Sequence, residues 1–157
     1  MANTAATNAV AADNATAEGI FASFNDGPIS VPSGLATVAS LNVPAGKYAV
    51  FGKLWVQDVD PGFDVNTFCQ LEAGSTMDQG QVFADDPDDV VAPSSGVIAL
   101  ELVHEFGGTG GTINLSCDDD GGADEALFIK IIAMRGPSLT NAASPRVAPR
   151  SLDGREG

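Results

Sequence analysis

The sequence predicts an all-β protein, an antiparallel β-sandwich of the jelly-roll kind with about eight to ten short strands. Three observations carry this. Residues 47–58 form a long run rich in β-branched, aromatic and aliphatic side chains. Residues 96–106 alternate strictly, with Ile98, Leu100, Leu102, His104 and Phe106 on one face and Val97, Ala99, Glu101, Val103 and Glu105 on the other. Turn residues separate these runs, and no segment carries the apolar stripe of an amphipathic helix. Many short strands without helices pack as two sheets.

Each element follows in order. Residues 1–18, rich in Ala, Asn and Thr, predict an arm without an apolar stripe. Ile20, Phe21, Phe24, Ile29 and Val31 predict strand broken by Asn25-Asp26-Gly27-Pro28, and residues 35–43 resume the pattern before Pro44-Ala45-Gly46 turns the chain. In 47–58, Tyr48, Val50, Leu54 and Val56 share one face and Phe51 and Trp55 the other. Both faces are partly apolar, which predicts a central strand or a subunit contact. Residues 64–74 give another alternation, with Thr67, Cys69, Leu71 and Ala73 on one side. Residues 77–93 are expected to be a long acidic connection with a short strand at Val82-Phe83. After 96–106, Gly107-Gly108-Thr109-Gly110-Gly111 is a flexible turn, 112–117 a strand, 118–125 an acidic loop, and 126–135 a last strand apolar on both faces. The domain is expected over 19–136, with a tail over 137–157.

The net charge of −14 sets the surface. Nineteen of the 21 acids and four bases, Lys47, Lys53, Lys130 and Arg135, fall in residues 1–136, giving −15 there and +1 in the tail. Such a body repels nucleic acid and anionic membranes and favours cationic partners or divalent metal. The scarcity of lysine fits either a high-salt cytoplasm or a high-GC genome. No apolar run is long enough to span a bilayer, and the N-terminus lacks the basic start and apolar middle of a signal peptide.

The order of motifs resembles the C1q/TNF-like jelly rolls of bacteria and their viruses. The resemblance covers about residues 18–136. It rests on Val43-Pro44-Ala45-Gly46-Lys47-Tyr48-Ala49-Val50, Cys69-Gln70-Leu71-Glu72-Ala73-Gly74, Gly111-Thr112-Ile113-Asn114-Leu115-Ser116-Cys117 and Ile129-Lys130-Ile131-Ile132-Ala133-Met134. It implies a trimeric recognition or structural head. No collagen-like Gly-X-Y stalk accompanies it.

Few residues suggest chemistry. Cys69 and Cys117 both fall at core-facing strand positions, as a disulfide between adjacent strands or as buried thiols of a reducing compartment. His104 is expected as a packed core or interface histidine. The acidic clusters are possible calcium loops; Asp118, Asp120 and Asp124 are the best ligand candidates, because Gly121 and Gly122 let that loop fold back. None of the clusters has the spacing of a calcium-binding loop, and the alternative is a solvated loop. No nucleophile elbow, phosphate loop or dinucleotide fingerprint is present, so no enzyme is expected. Phe51 and Trp55 are candidates for an oligomer contact, with ordinary core as the alternative. The expectation is a structural protein of a virion, such as a capsid decoration, spike or tail component. It would be a homo-oligomer, expected as a trimer, meeting other structural proteins of the assembly but neither nucleic acid nor membrane. The alternative is a secreted or cell-surface module that recognises carbohydrate or protein.

Overall fold

The computed structural model describes residues 19–59, 65–84, 95–119 and 124–137. Nine strands make two sheets: β1 (Ile20–Asn25), β2 (Ile29–Ser30), β3 (Ala36–Val43), β4 (Gly46–Asp58), β5 (Val65–Ala73), β6 (Thr76–Ala84), β7 (Ser95–Phe106), β8 (Gly111–Asp119) and β9 (Asp124–Arg135). The expected arm, residues 1–18, and the tail beyond 137 lie outside the described residues.

One sheet runs β1-β9-β4-β7, with β2 also on β9; the other runs β3-β8-β5-β6. All pairings are antiparallel. Apart from the β5–β6 hairpin, the chain changes sheets at each connection after β2. That winding is a jelly roll.

The core lies between the sheets. From the first come Phe21, Tyr48, Val50, Leu54, Val56, Ile98, Leu100, Ile129 and Ile131; from the second, Val38, Leu41, Leu71, Ile113 and Leu115. Tyr48 is fully buried, makes edge contacts with Phe21 and Phe106, and donates its hydroxyl to the carbonyl of Pro44 at 2.9 Å. Burial pushes its phenol above the ordinary range. Gly110, at φ +95°, sits so close to the Val43 carbonyl that a Cβ would lie 2.1 Å from the oxygen. Only glycine fits that turn.

Cys69 and Cys117 face each other across β5 and β8 and are bonded, with Cα atoms 4.1 Å apart and a sequence separation of 48. The close Cα spacing matches a non-hydrogen-bonded antiparallel pair.

The 77–93 expectation needs correction. Residues 76–84 are a full strand, β6, paired to β5 from Ala73↔Thr76 to Val65↔Ala84. Polar residues hid it: Asp78, Gln79, Gly80 and Gln81 break the apolar alternation, but β6 is an edge strand whose pairing is set by β5. Its Asp78 carboxylate accepts the Glu101 backbone N–H at 2.8 Å and blunts the β7 edge. His104 sits at the rim, half-buried, its Nδ1 2.9 Å from the Thr76 hydroxyl and its ring edge-on to Phe106.

Replacing both cysteines by alanine should lower the unfolding free energy by about 3–4 kcal/mol, from the entropy of the loop they close. Urea unfolding of the double variant checks this; equal stability would show that the bond constrains nothing.

Candidate assembly face and acidic pole

The outward face of the β1-β9-β4-β7 sheet is built from the register. Directly paired residues share a face. One row is Ile20, Met134, Ala49 and Val103; the next is Ala22, Ile132, Phe51 and Glu101; then Phe24, Lys130, Lys53 and Ala99; then Leu127, Trp55 and Val97. Among the described residues, seven of the eleven exposed large hydrophobics lie here: Ile20, Phe24, Phe51, Trp55, Val97, Phe128 and Met134. Phe51 and Trp55 are 41% and 43% exposed and point away from the core. The face is apolar apart from Glu101, Lys53 and Lys130 in its middle rows.

Phe128 is placed by a bulge. Between Lys53↔Lys130 and Trp55↔Leu127 the register shifts, so two β9 residues oppose Leu54 alone. Phe128 adopts φ +51°, the left-handed region that disfavours bulky side chains. Its half-exposed ring lies 6.5 Å from that of Trp55. Bulges re-aim side chains, and this one turns Leu127 outward beside Phe128.

All four described bases belong to β4 and β9. Lys53 and Lys130 are direct cross-strand partners in the central row, and Lys130 also lies over the Phe24 ring at 5.8 Å. Lys47 pairs with Glu105 at 3.6 Å on the exposed surface. Two ammonium groups side by side repel one another, and an acidic partner surface would relieve this.

The opposite sheet is different outside. Gln79 donates to Gln70 and Gln70 to Glu72, Gln81 donates to Asn66, and Thr112 donates to Asn42. That face satisfies its own polar groups.

β4, β6 and β8 finish, and β5, β7 and β9 begin, at one end of the sandwich. The joining segments 58–64, 85–94 and 118–125 hold twelve of the 21 acids. Of the proposed metal set, the two described members, Asp118 and Asp124, face different ways. Asp118 lies outside its sheet and accepts the Gly34 N–H at 2.6 Å, whereas Asp124 lies between the sheets; Asp120 is outside the described residues. The strand pleat separates Asp118 from its neighbour Asp119, which does face inward. Among the described residues no three His, Cys, Asp or Glu side chains form a metal-holding group.

What gathers there is Asp58, Asp119 and Asp124, each no more than 4% exposed. The Thr67 hydroxyl donates to Asp124 Oδ2, and the Asp124 N–H donates to Asp119 Oδ2 at 3.3 Å. Asp124 Oδ1 is buried without a hydrogen-bond partner. Burial, then the nearby Asp119 and Asp58 carboxylates, hold the Asp124 carboxyl above the usual range against the opposing Thr67 hydrogen bond.

Period-two alternation alone puts Phe51 and Trp55 opposite the core set, and the sequence reading stops there. It missed Phe128, for which a bulge at Phe has no sequence signal, and Asp58 and Asp119, which strand parity would have singled out.

No protein-family model and no curated protein matches the chain. Among solved structures, it is similar to a pentameric capsid protein isolated from metagenomic phage sequences, at 20% identity and TM-score 0.32, covering 66% of this chain and 57% of that one. A chain from the structure of infectious bursal disease virus Gx strain matches at 12% identity and TM-score 0.42, over 85% of this chain and 38% of that one. Eiger TNF from S. frugiperda matches at 13% and TM-score 0.37, over 85% and 93%. The chain thus spans under two thirds of the capsid and virus chains. These likenesses are distant, and the jelly-roll assignment stands on the sheet order itself.

Phe128→Gly should keep or raise monomer stability by up to about 1 kcal/mol, because left-handed strain of about 1–2 kcal/mol is released. Urea unfolding at low concentration checks this; a loss of several kcal/mol would mean that the ring belongs to the core.

Proposed function

We propose that the protein is a non-enzymatic structural component of a virion, a capsid decoration, spike or tail protein that acts by self-association. The observation that carries this is the exposed apolar face of the β1-β9-β4-β7 sheet, with Trp55, Phe51 and Phe128 at its middle. Buried aromatic anchors dominate subunit contacts, and such a face left in water promotes uncontrolled aggregation. The resemblance to C1q/TNF-like heads supports closure into a trimer around that face, with the arm and tail crossing onto neighbouring subunits.

The Cys69–Cys117 bond favours a second reading, an extracellular module that recognises carbohydrate or protein, since such bonds persist in oxidising compartments. Mass spectrometry of purified particles separates the two: a virion component is present in them, and absence sinks the first reading.

Trp55→Asp should reduce the solution mass from an oligomer to one chain by light scattering. Its unfolding free energy as a monomer should change by less than about 0.5 kcal/mol, as for surface sites generally. An oligomer of unchanged mass would remove Trp55 from the contact.

A further inference from the structure

The charged side chains of the outer face sort by strand. β7 presents Glu101 and Glu105 and no base there; β4 presents Lys47 and Lys53 and no acid. β9 presents Lys130, with Glu125 beyond the bulge, and β1 presents no charge. Lys47 is taken by Glu105 within the subunit. Glu125 stands at the far end of its strand, between Ser30 and Gln57.

What remains in the middle of the face is Lys53 beside Lys130, with Glu101 on the strand next to Lys53. All three are exposed. Lys130 rests on the Phe24 ring, and none of the three has an ion-pair partner among the described residues. Glu101 and Lys53 are diagonal cross-strand neighbours, about 7–8 Å apart at the backbone, and do not meet. The face therefore has an acidic margin along β7 and a basic centre on β4 and β9.

Self-association covers this face, and a charge taken out of water without a counter-charge is costly. A symmetric contact centred on the lysine pair would set four ammonium groups of two copies against one another. An offset contact lays the β7 margin of one copy on the centre of the next, so that a carboxylate enters between two lysines. Such a contact joins unlike patches, and repeated by rotation it closes into a ring.

We propose that the basic centre receives the β7 margin of a second copy of this chain, with Glu101 of one copy paired to Lys53 and Lys130 of the next. The proposal rests on the self-association reading above and adds to it which patches meet. Phe51 and Trp55, flanking Lys53 on β4, supply the apolar area, and Glu101 sets the register and excludes the symmetric contact.

Light scattering over a concentration series tests this with three variants. Glu101→Lys should weaken self-association at least about tenfold, and so should Lys53→Glu combined with Lys130→Glu, because each sets like charges against one another. The hydrogen bond from position 101 to Asp78 comes from the backbone, so Glu101→Lys leaves it in place. The triple variant, carrying all three changes, reverses both patches at once. It should associate more tightly than either parent variant, yet form no mixed oligomers with wild type when the two are combined and weighed by native mass spectrometry. An oligomer unmoved by Glu101→Lys overturns the proposal and leaves self-association standing. A triple variant no tighter than its parents also overturns it. Free mixing of the triple variant with wild type would show that the charges pair within one subunit, and overturns it as well. A monomeric wild type removes the self-association reading and this pairing with it.

Discussion

β4 is hydrogen-bonded to β7 along nearly its whole length and to β9 along most of it, and everything else hangs on that register. Its pleat divides thirteen residues into two surfaces. Tyr48, Val50, Gly52, Leu54 and Val56 turn inward; Phe51, Lys53 and Trp55 turn outward. Because both surfaces are partly apolar, hydrophobicity alone would tolerate a one-residue slip. Three groups forbid it. A slip would bury Lys53. It would remove Gly52 from beneath Leu71, where a Cβ would already lie 3.2 Å from the leucine methyl. It would also detach the Tyr48 hydroxyl from the Pro44 carbonyl. The same register that closes the core therefore lays out the apolar outer face.

Charge is distributed with the same polarity. The turns 44–45, 74–75 and 107–110 at one end contain no acid, while the other end collects most of them. Three of the four described bases, Lys47, Lys53 and Lys130, stand on the apolar face, where they offset the charges of Glu101 and Glu105. A chain of net charge −14 repels its copies at long range, and screening limits this to about 8–10 Å at moderate salt. Contact through the β1-β9-β4-β7 face would then bring together the surfaces where self-repulsion is smallest.

Much of this was legible because period two is a strong signal wherever one face is buried. Leu100 and Leu102, or Ile113 and Leu115, declare their strands without help. β6 did not, because an edge strand with Asp78, Gln79 and Gln81 has no apolar face to advertise and takes its register from β5. In sequence, 118–125 is simply a run of neighbouring carboxylates. The pleat instead turned Asp118 to solvent-side hydrogen bonding and Asp119 inward. Sequence adjacency in a strand means separation by a whole sheet.

The bulge at Phe128 connects the two ends of the argument. Met134, Ile132 and Lys130 face outward, so an uninterrupted strand would continue with Phe128, Ala126 and Asp124 outward and with Leu127 and Glu125 inward. That arrangement would bury Glu125 between the sheets. The inserted residue reverses parity below Ile129: Ala126 and Asp124 enter the sandwich, Leu127 turns out, and the Phe128 ring reaches Trp55. One strained residue thus keeps the Phe128 ring on the exposed face, turns Leu127 out beside it and places a short carboxyl where Thr67 can reach it. Strain of about 1–3 kcal/mol persists where the surrounding structure over-determines it. Here the surrounding structure is the β4 register on one side and the Asp124 cluster on the other, and the bulge lets β9 satisfy both.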